Sequence, residues 1–243
     1  MDLYSFAPIA AVLDAAYWLV TQLAQFVAPL VGSGSAAFAI VLITMIVRTV
    51  LIPVGVSQVR AELSRRRLAP QLEQLRRRYS KNRELLQRKT MELYTAEKVS
   101  PFAGCLPLLL QAPVLSVLYG LFILPMINGH PNDLLTEQLF SVPLGSSLVG
   151  LVSAGSFWPT LVVFGVLLAV IAVVATFSRR VAMKTAAPVP AQPGMAGLTS
   201  ALSWMPFVTV IFAAFVPLAA TIYLTVSTTW TLVERVTLRR VLA

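Results

Sequence analysis

The stretch that decides the fold runs from Ser35 to Ser57, SAAFAIVLITMIVRTVLIPVGVS, 23 residues whose one charge is an internal arginine, Arg48. At about 1.5 Å per residue a helix of this length reaches about 35 Å, enough to cross a hydrocarbon core of about 30 Å. Arg48 then falls near mid-depth, displaced slightly toward one end. Holding a guanidinium there costs at least about 2.5 to 3.5 kcal/mol, so the side chain is expected to face protein or water rather than lipid.

Working outward, the composition agrees with this stretch. Hydrophobic residues make up 57% of the chain and charged residues 12%, and several other runs approach 20 apolar residues. That combination describes a polytopic, all-α membrane protein, and the short alternating segments of a barrel are missing. The net charge of +9 lies in patches beside the apolar runs, the pattern that orients a membrane protein, so no specific nucleic acid sequence is expected as a ligand. A single cysteine excludes an internal disulfide framework.

Residues 1–34 hold no Lys or Arg and are read as an extracytoplasmic tail whose segment Ala7 to Leu30 is an amphipathic helix lying at the interface; a spanning role is the alternative. The Gly32-Ser33-Gly34 break leads into the first span, 35–58. Residues 59–100 form a basic cytoplasmic helical hairpin: Arg60 to Lys98 carries twelve basic residues and five glutamates. Pro70 suits the first position of a helix, and Ser80, Lys81 and Asn82 suit the turn. Span two, 101–127, is kinked by Pro101, Pro107 and Pro113, whose freed carbonyls need a polar neighbour or water. Its Phe102 to Cys105 imitates a lipoprotein box, but the apolar segment follows the cysteine instead of preceding it. An extracytoplasmic loop, 128–158, contains the only histidine, His130, without ligand-spaced partners that would suggest a metal. Span three, 159–177, is followed by a Pro-rich cytoplasmic linker, 178–194. The apolar run after it, about 58 Å as one helix, is divided near 215–219 into span four, 195–214, and span five, 215–233, both short enough to thin the bilayer. A basic cytoplasmic tail, 234–243, closes the chain. Five spans place eighteen basic residues on one side and none on the other, so that side is cytoplasmic and the N terminus lies outside.

No Asp or Glu occurs within these five spans, so Arg48 has no counterion there and is expected to be hydrated. Thr44 lies one turn away on its own helix, and Gln111, Tyr223, Ser227 and Thr228 could line the same polar recess. The bland alternative is that Arg48 bonds carbonyls freed by the prolines. There is neither a nucleophile and base pair nor a G-x-x-x-x-G-K-[ST] loop, so neither an enzyme nor a cofactor is expected.

The run Pro101 to Tyr119, PFAGCLPLLLQAPVLSVLY, closely resembles the signature of the YidC/Oxa/Alb family of membrane protein insertases. Arg48, the basic hairpin after it, and MPFVTVIFAAFVPLAATIYLTVS (Met205 to Ser227) fall in the family's order and spacing, and the likeness extends over residues 8 to 240. It implies five helices around a water-containing groove open to the cytoplasm and to lipid. Arg48 matches the groove arginine and Gln111 its polar partner, while Trp204, Tyr223 and Ser227 fall near the client-contacting face. The chain departs from the family at Ala219, where glycine is typical, and at Thr228, where asparagine is usual. The large extracytoplasmic domain of Gram-negative members is missing, which resembles the short form of Gram-positive or actinobacterial members, in the bacterial plasma membrane. The implied function is insertion of nascent membrane proteins, with lateral release into the bilayer; an assembly chaperone and a small polytopic transporter are the alternatives. The partners implied are membrane protein clients, anionic lipids and, through the hairpin and the C-terminal tail, the ribosome, the signal recognition particle receptor and the Sec translocon.

Overall fold

The computed structural model describes residues 7–97, 116–117, 120–185 and 203–242. Within them the chain is predominantly helical. Helix α1 (Ala7–Val31) passes through a tight turn at Gly32–Gly34 into α2 (Ser35–Val50). Gly32 has φ +64°, a left-handed conformation that favours glycine, and this breaks the apolar run where its sequence suggested. Leu13, Val20, Ala24 and Val27 form a buried stripe along α1, while Trp18, Phe26 and Leu30 face outward.

The 35–58 stretch is not one helix. It is interrupted at Leu51, and α3 (Ile52–Arg78) begins there. Pro53 explains the joint: it has no N–H to bond back into α2, and its ring would meet the carbonyl one turn earlier. At the second position of a new helix, that missing donor costs nothing. Helix α3 then runs without a break through Pro70, which corrects the expectation that Pro70 starts a helix. An internal proline costs about 3 kcal/mol, and burial of Val59 and Leu68 on the same helix offsets it. The hairpin closes through α4 (Arg83–Ala96), where the Asn82 side chain accepts from the Leu85 amide at 3.0 Å as an N-cap.

The segment read as a loop carries small, ordered elements. Strands β1 (Met126–Ile127) and β2 (His130–Pro131) pair through Asn128 and Gly129, both with positive φ, as a two-residue hairpin turn requires. A second hairpin pairs β3 (Gln138–Leu139) with β4 (Val142–Pro143), and a short helix α5 (Leu148–Ser153) follows. Helix α6 (Thr160–Thr185), α7 (Met205–Phe215) and α8 (Leu218–Leu242) complete the described fold.

Two apolar helical stretches among the described residues, 7–50 with its turn at Gly32–Gly34, and 160–183, are long enough to cross a membrane, and α7 is a shorter apolar helix. Helix α8 is the axis of the molecule, packing against α2, α3, α6 and α7. Small residues Ala36, Ala37, Ala39 and Ala219 are fully or nearly buried and let α2 and α8 approach closely around Ile40, Phe122, Phe164 and Ile222.

Candidate functional site

The site is built on one face of α8. Tyr223, Ser227, Trp230 and Glu234 follow at intervals of four, three and four residues, the spacing that aligns side chains along a helix. Opposite them lies the last turn of α2, where Arg48 donates through Nη2 to Ser227 Oγ. Ser227 and Tyr223 are buried, and Arg48 is half-buried. Thr44, one turn before Arg48, is buried and donates to the Ile40 carbonyl at 2.6 Å. The Tyr223 ring packs 6.4 Å from Phe122, centroid to centroid. The structure thus brings Arg48 and Ser227 into contact, with Thr44 and Tyr223 one turn from each on the same helices.

Two predicted residues stand apart from this contact. Trp204, at the start of α7, lies under the Arg179 guanidinium at 4.0 Å and beside Phe207, and is half exposed. None of these neighbours belongs to the Arg48 set. Gln111 lies outside the described residues. Thr228 turns its hydroxyl back to the Leu224 carbonyl at 2.7 Å, the usual way a threonine satisfies itself in an apolar helix.

Below Arg48, the same pair of helices continues in register. Seven residues on from Arg48 and from Ser227 stand Gly55 on α3 and Glu234 on α8. A β-carbon at position 55 would overlap Glu234 Oε1 and come within 2.8 Å of its Cδ, so the carboxyl rests directly on the glycine. Seven residues further, Glu62 accepts from Arg235 at 3.0 Å, from Arg66 at 2.8 Å and from Arg239. Both helices therefore run in the same direction, and the contacts between them end in an ion-pair cluster beside the basic hairpin. Burial pushes the Glu62 carboxyl up, but the Arg239 and Arg235 guanidiniums outweigh it and hold it below its ordinary value. At Glu234 burial prevails and raises the carboxyl above its ordinary value, against the Trp230 indole and the Arg48 charge.

Glu234 lies just past the fifth span, so Arg48 still has no counterion within the spans, but a carboxyl stands on the same face of α8 one step beyond Ser227. The apolar window ends at Val233, but the helix does not, and the next residue is acidic and on the Ser227 face. The signal was present as a seven-residue interval and was hidden by the span boundary. His130 is likewise more than a loop residue: Nε2 lies 3.4 Å from Asp14, its ring 5.1 Å from Tyr17, and Asn128 donates to Asp14 at 2.6 Å. These contacts tie the β1–β2 turn to α1.

A family model described as 60Kd inner membrane protein matches residues 26–243. The chain belongs to that family. Its relatives include the membrane protein insertase YidC of Fusobacterium nucleatum, 33% identical over 108 residues, covering 42% of this chain and 53% of the relative. The proteins of the same name from Zymomonas mobilis and Tolumonas auensis are 29% identical over 188 residues and 45% identical over 98. Those alignments cover 77% and 40% of this chain, but only 31% and 18% of the relatives. The chain thus matches at most about half the length of these relatives. The YidC/Oxa/Alb resemblance read from the 101–119 signature is the family that the comparisons give, and the chain is a membrane protein of that family.

Proposed function

We propose that this protein is a membrane protein insertase, receiving nascent membrane proteins from the cytoplasm into a hydrated groove and releasing their helices sideways into the bilayer. The observation that carries this reading is Arg48: a half-buried guanidinium in a helix of apolar composition, met by a buried hydroxyl stripe on α8. Such a charge is retained at a cost only where water or a polar ligand can reach it. In this reading Arg48 and Ser227, with Thr44, Tyr223 and Gln111, line the groove, and Trp204 guards its rim on α7.

The energetics give the groove its purpose. Each unsatisfied polar group of a translocating tail costs several kcal/mol in hydrocarbon, and a wet half-channel beneath a thinned bilayer shortens that path. Arg48 attracts acidic or polar tail residues, and the surrounding apolar helices strengthen the attraction by lowering the local dielectric. The client's own apolar helix supplies the driving force as it enters lipid, about 25 cal/mol for each Å² removed from water. The eleven-residue α7 fits a locally thin membrane.

The topology proposed with this mechanism has five spans, the N terminus outside with α1 along the outer surface, and the hairpin and C-terminal tail in the cytoplasm. The contacts of α1 with the β1–β2 turn support its place. The basic hairpin offers a surface to ribosomes, to the signal recognition particle receptor, to the Sec translocon and to anionic lipid.

The test is Arg48→Ala in purified protein reconstituted into liposomes, with single-span clients bearing short acidic tails. Translocation of the tail is expected to fall about tenfold, a loss of about 1.4 kcal/mol, while the melting profile stays close to wild type. Undiminished insertion overturns the role of Arg48. If the wild-type protein translocates no tail but improves packing of preinserted subunits, the chaperone reading replaces this one.

A further inference from the structure

The series of parallel contacts between α2–α3 and α8 has one member that packing does not explain. Arg48 with Ser227 is a hydrogen bond, and Glu62 with Arg235 and Arg239 is an ion-pair cluster. Between them, Glu234 Oε1 is buried with no hydrogen-bond partner among the described residues. Leaving a carboxylate oxygen so placed is costly, and a leucine or alanine would pack there more simply. Room for it exists only because residue 55 is glycine. The carboxyl sits one step from Arg48 in that series, close enough for the two charges to interact, yet no direct ion pair joins them.

We propose that Glu234 is a specificity-determining residue: an acidic group at the cytoplasmic mouth of the groove that moderates the field of Arg48 and sets how strongly acidic client tails are preferred over neutral and basic ones. The inference rests on the insertase reading above. A tail entering from the hairpin side passes the Glu62 cluster and then Glu234 before it reaches Arg48. Without Glu234, an unopposed guanidinium would hold acidic tails tightly and repel lysine-bearing ones. With it, Arg48 keeps enough attraction to capture an acid and loses enough to release it. Among the described residues Glu234 makes no salt bridge, so beside the Trp230 indole its charge acts on Arg48 through the field rather than through one ion pair.

The experiment uses full-length protein in liposomes and three clients identical except for tail residues Asp, Asn or Lys. The readout is the ratio of tails translocated within one preparation, so partial loss of folded protein cancels. Glu234→Gln is expected to raise the Asp to Asn ratio about threefold and to lower the Lys to Asn ratio by a similar factor. Ratios unchanged from wild type overturn the proposal. A second measurement reads the field directly: a Thr231→Cys probe, between Ser227 and Glu234 on an exposed position, in a Cys105→Ser background. Its reaction rate with a methanethiosulfonate at fixed pH should rise about threefold with Glu234→Gln and fall with Arg48→Ala, because the thiolate is the reactive form. A rate indifferent to Glu234 overturns the proposal even where the clients are poorly inserted. Arg48→Ala separates the two readings. If it leaves all three clients unaffected, the insertase role of Arg48 fails; if it suppresses the Asp client while Glu234→Gln leaves the ratios unmoved, only the role of Glu234 fails.

Discussion

Asn132 shows how a single buried amide fixes a junction. Its Nδ2 donates to the Leu121 carbonyl at 2.7 Å and the Leu124 carbonyl at 2.9 Å, and its backbone N–H to Pro125 at 3.0 Å. These are carbonyls at the end of the helical segment 120–123, which Pro125 prevents from finding partners in a further turn. Asn132→Ala removes both side-chain donors and should cost about 2 kcal/mol. Asn132→Asp should cost more, since an ionised carboxylate can only accept and would face two acceptors. Thermal unfolding in detergent checks the order, and an aspartate variant as stable as the asparagine contradicts this assignment. The two departures from the family pattern are mild at the same scale. Ala219 lies in the first turn of α8, buried and without a left-handed φ, so its backbone does not require glycine. Thr228 bonds its own helix. Neither residue strains the site.

The joint between the hairpin and α8 depends on one carboxylate at the level of elements. Glu62 on α3 meets Arg235 and Arg239 of α8 as well as Arg66 of its own helix. Its folded-state pKa is lowered, so the joint's stabilisation is present above the unfolded value near 4.5 and disappears as pH falls through the lower folded value. Amide exchange in α3 and α4 should accelerate in acid while the α2–α8 core stays protected. Glu62→Gln should give fast hairpin exchange already at neutral pH and remove that acid step; an acid step that persists in the variant assigns it to another group. This joint was beyond the reach of the sequence, because partners more than 170 positions apart leave no local signal. What depends on local chemistry was legible. Apolar length gave the membrane class, the 101–119 signature gave the family, and Val216-Pro217 lies inside the interval where the last apolar run was divided. Pro70 misled because tertiary packing can carry a helix through a proline, which no propensity registers. The Asn128-Gly129 turn was a hairpin signal, but strands of two residues are too short to show a period.

Across the whole molecule, α8 is a rod of 25 residues, about 37 Å, held at both ends. At its start the Leu218 and Ala219 amides, orphaned by the helix geometry, donate to the Ser146 and Leu144 carbonyls, each at 2.9 Å. Thr221 also reaches the Ala213 carbonyl of α7 at 2.9 Å. The 144–147 segment that supplies these acceptors is itself seated by Gly145, where a β-carbon would come within 2.8 Å of Leu135 Cβ and 2.9 Å of its carbonyl oxygen. At its far end α8 is held by Glu62. Between the two anchors lies the Arg48–Ser227 contact, so anything that parts α2 from α8 must work against both. Gly145→Ala should destabilise the protein by about 1–3 kcal/mol, because the overlap is with backbone that cannot swing aside. Combined with Glu62→Gln, some 30 Å away along the helix by this rise, the two losses should add to within about 0.5 kcal/mol if the anchors are independent. A double variant less destabilised than that sum would mean that releasing one end already loosens the other, and that α8 moves as a single lever. Guanidinium unfolding of the four proteins in the same detergent measures the coupling, and repeating the cycle with Arg48→Ala in place of Glu62→Gln locates where along the rod it is transmitted.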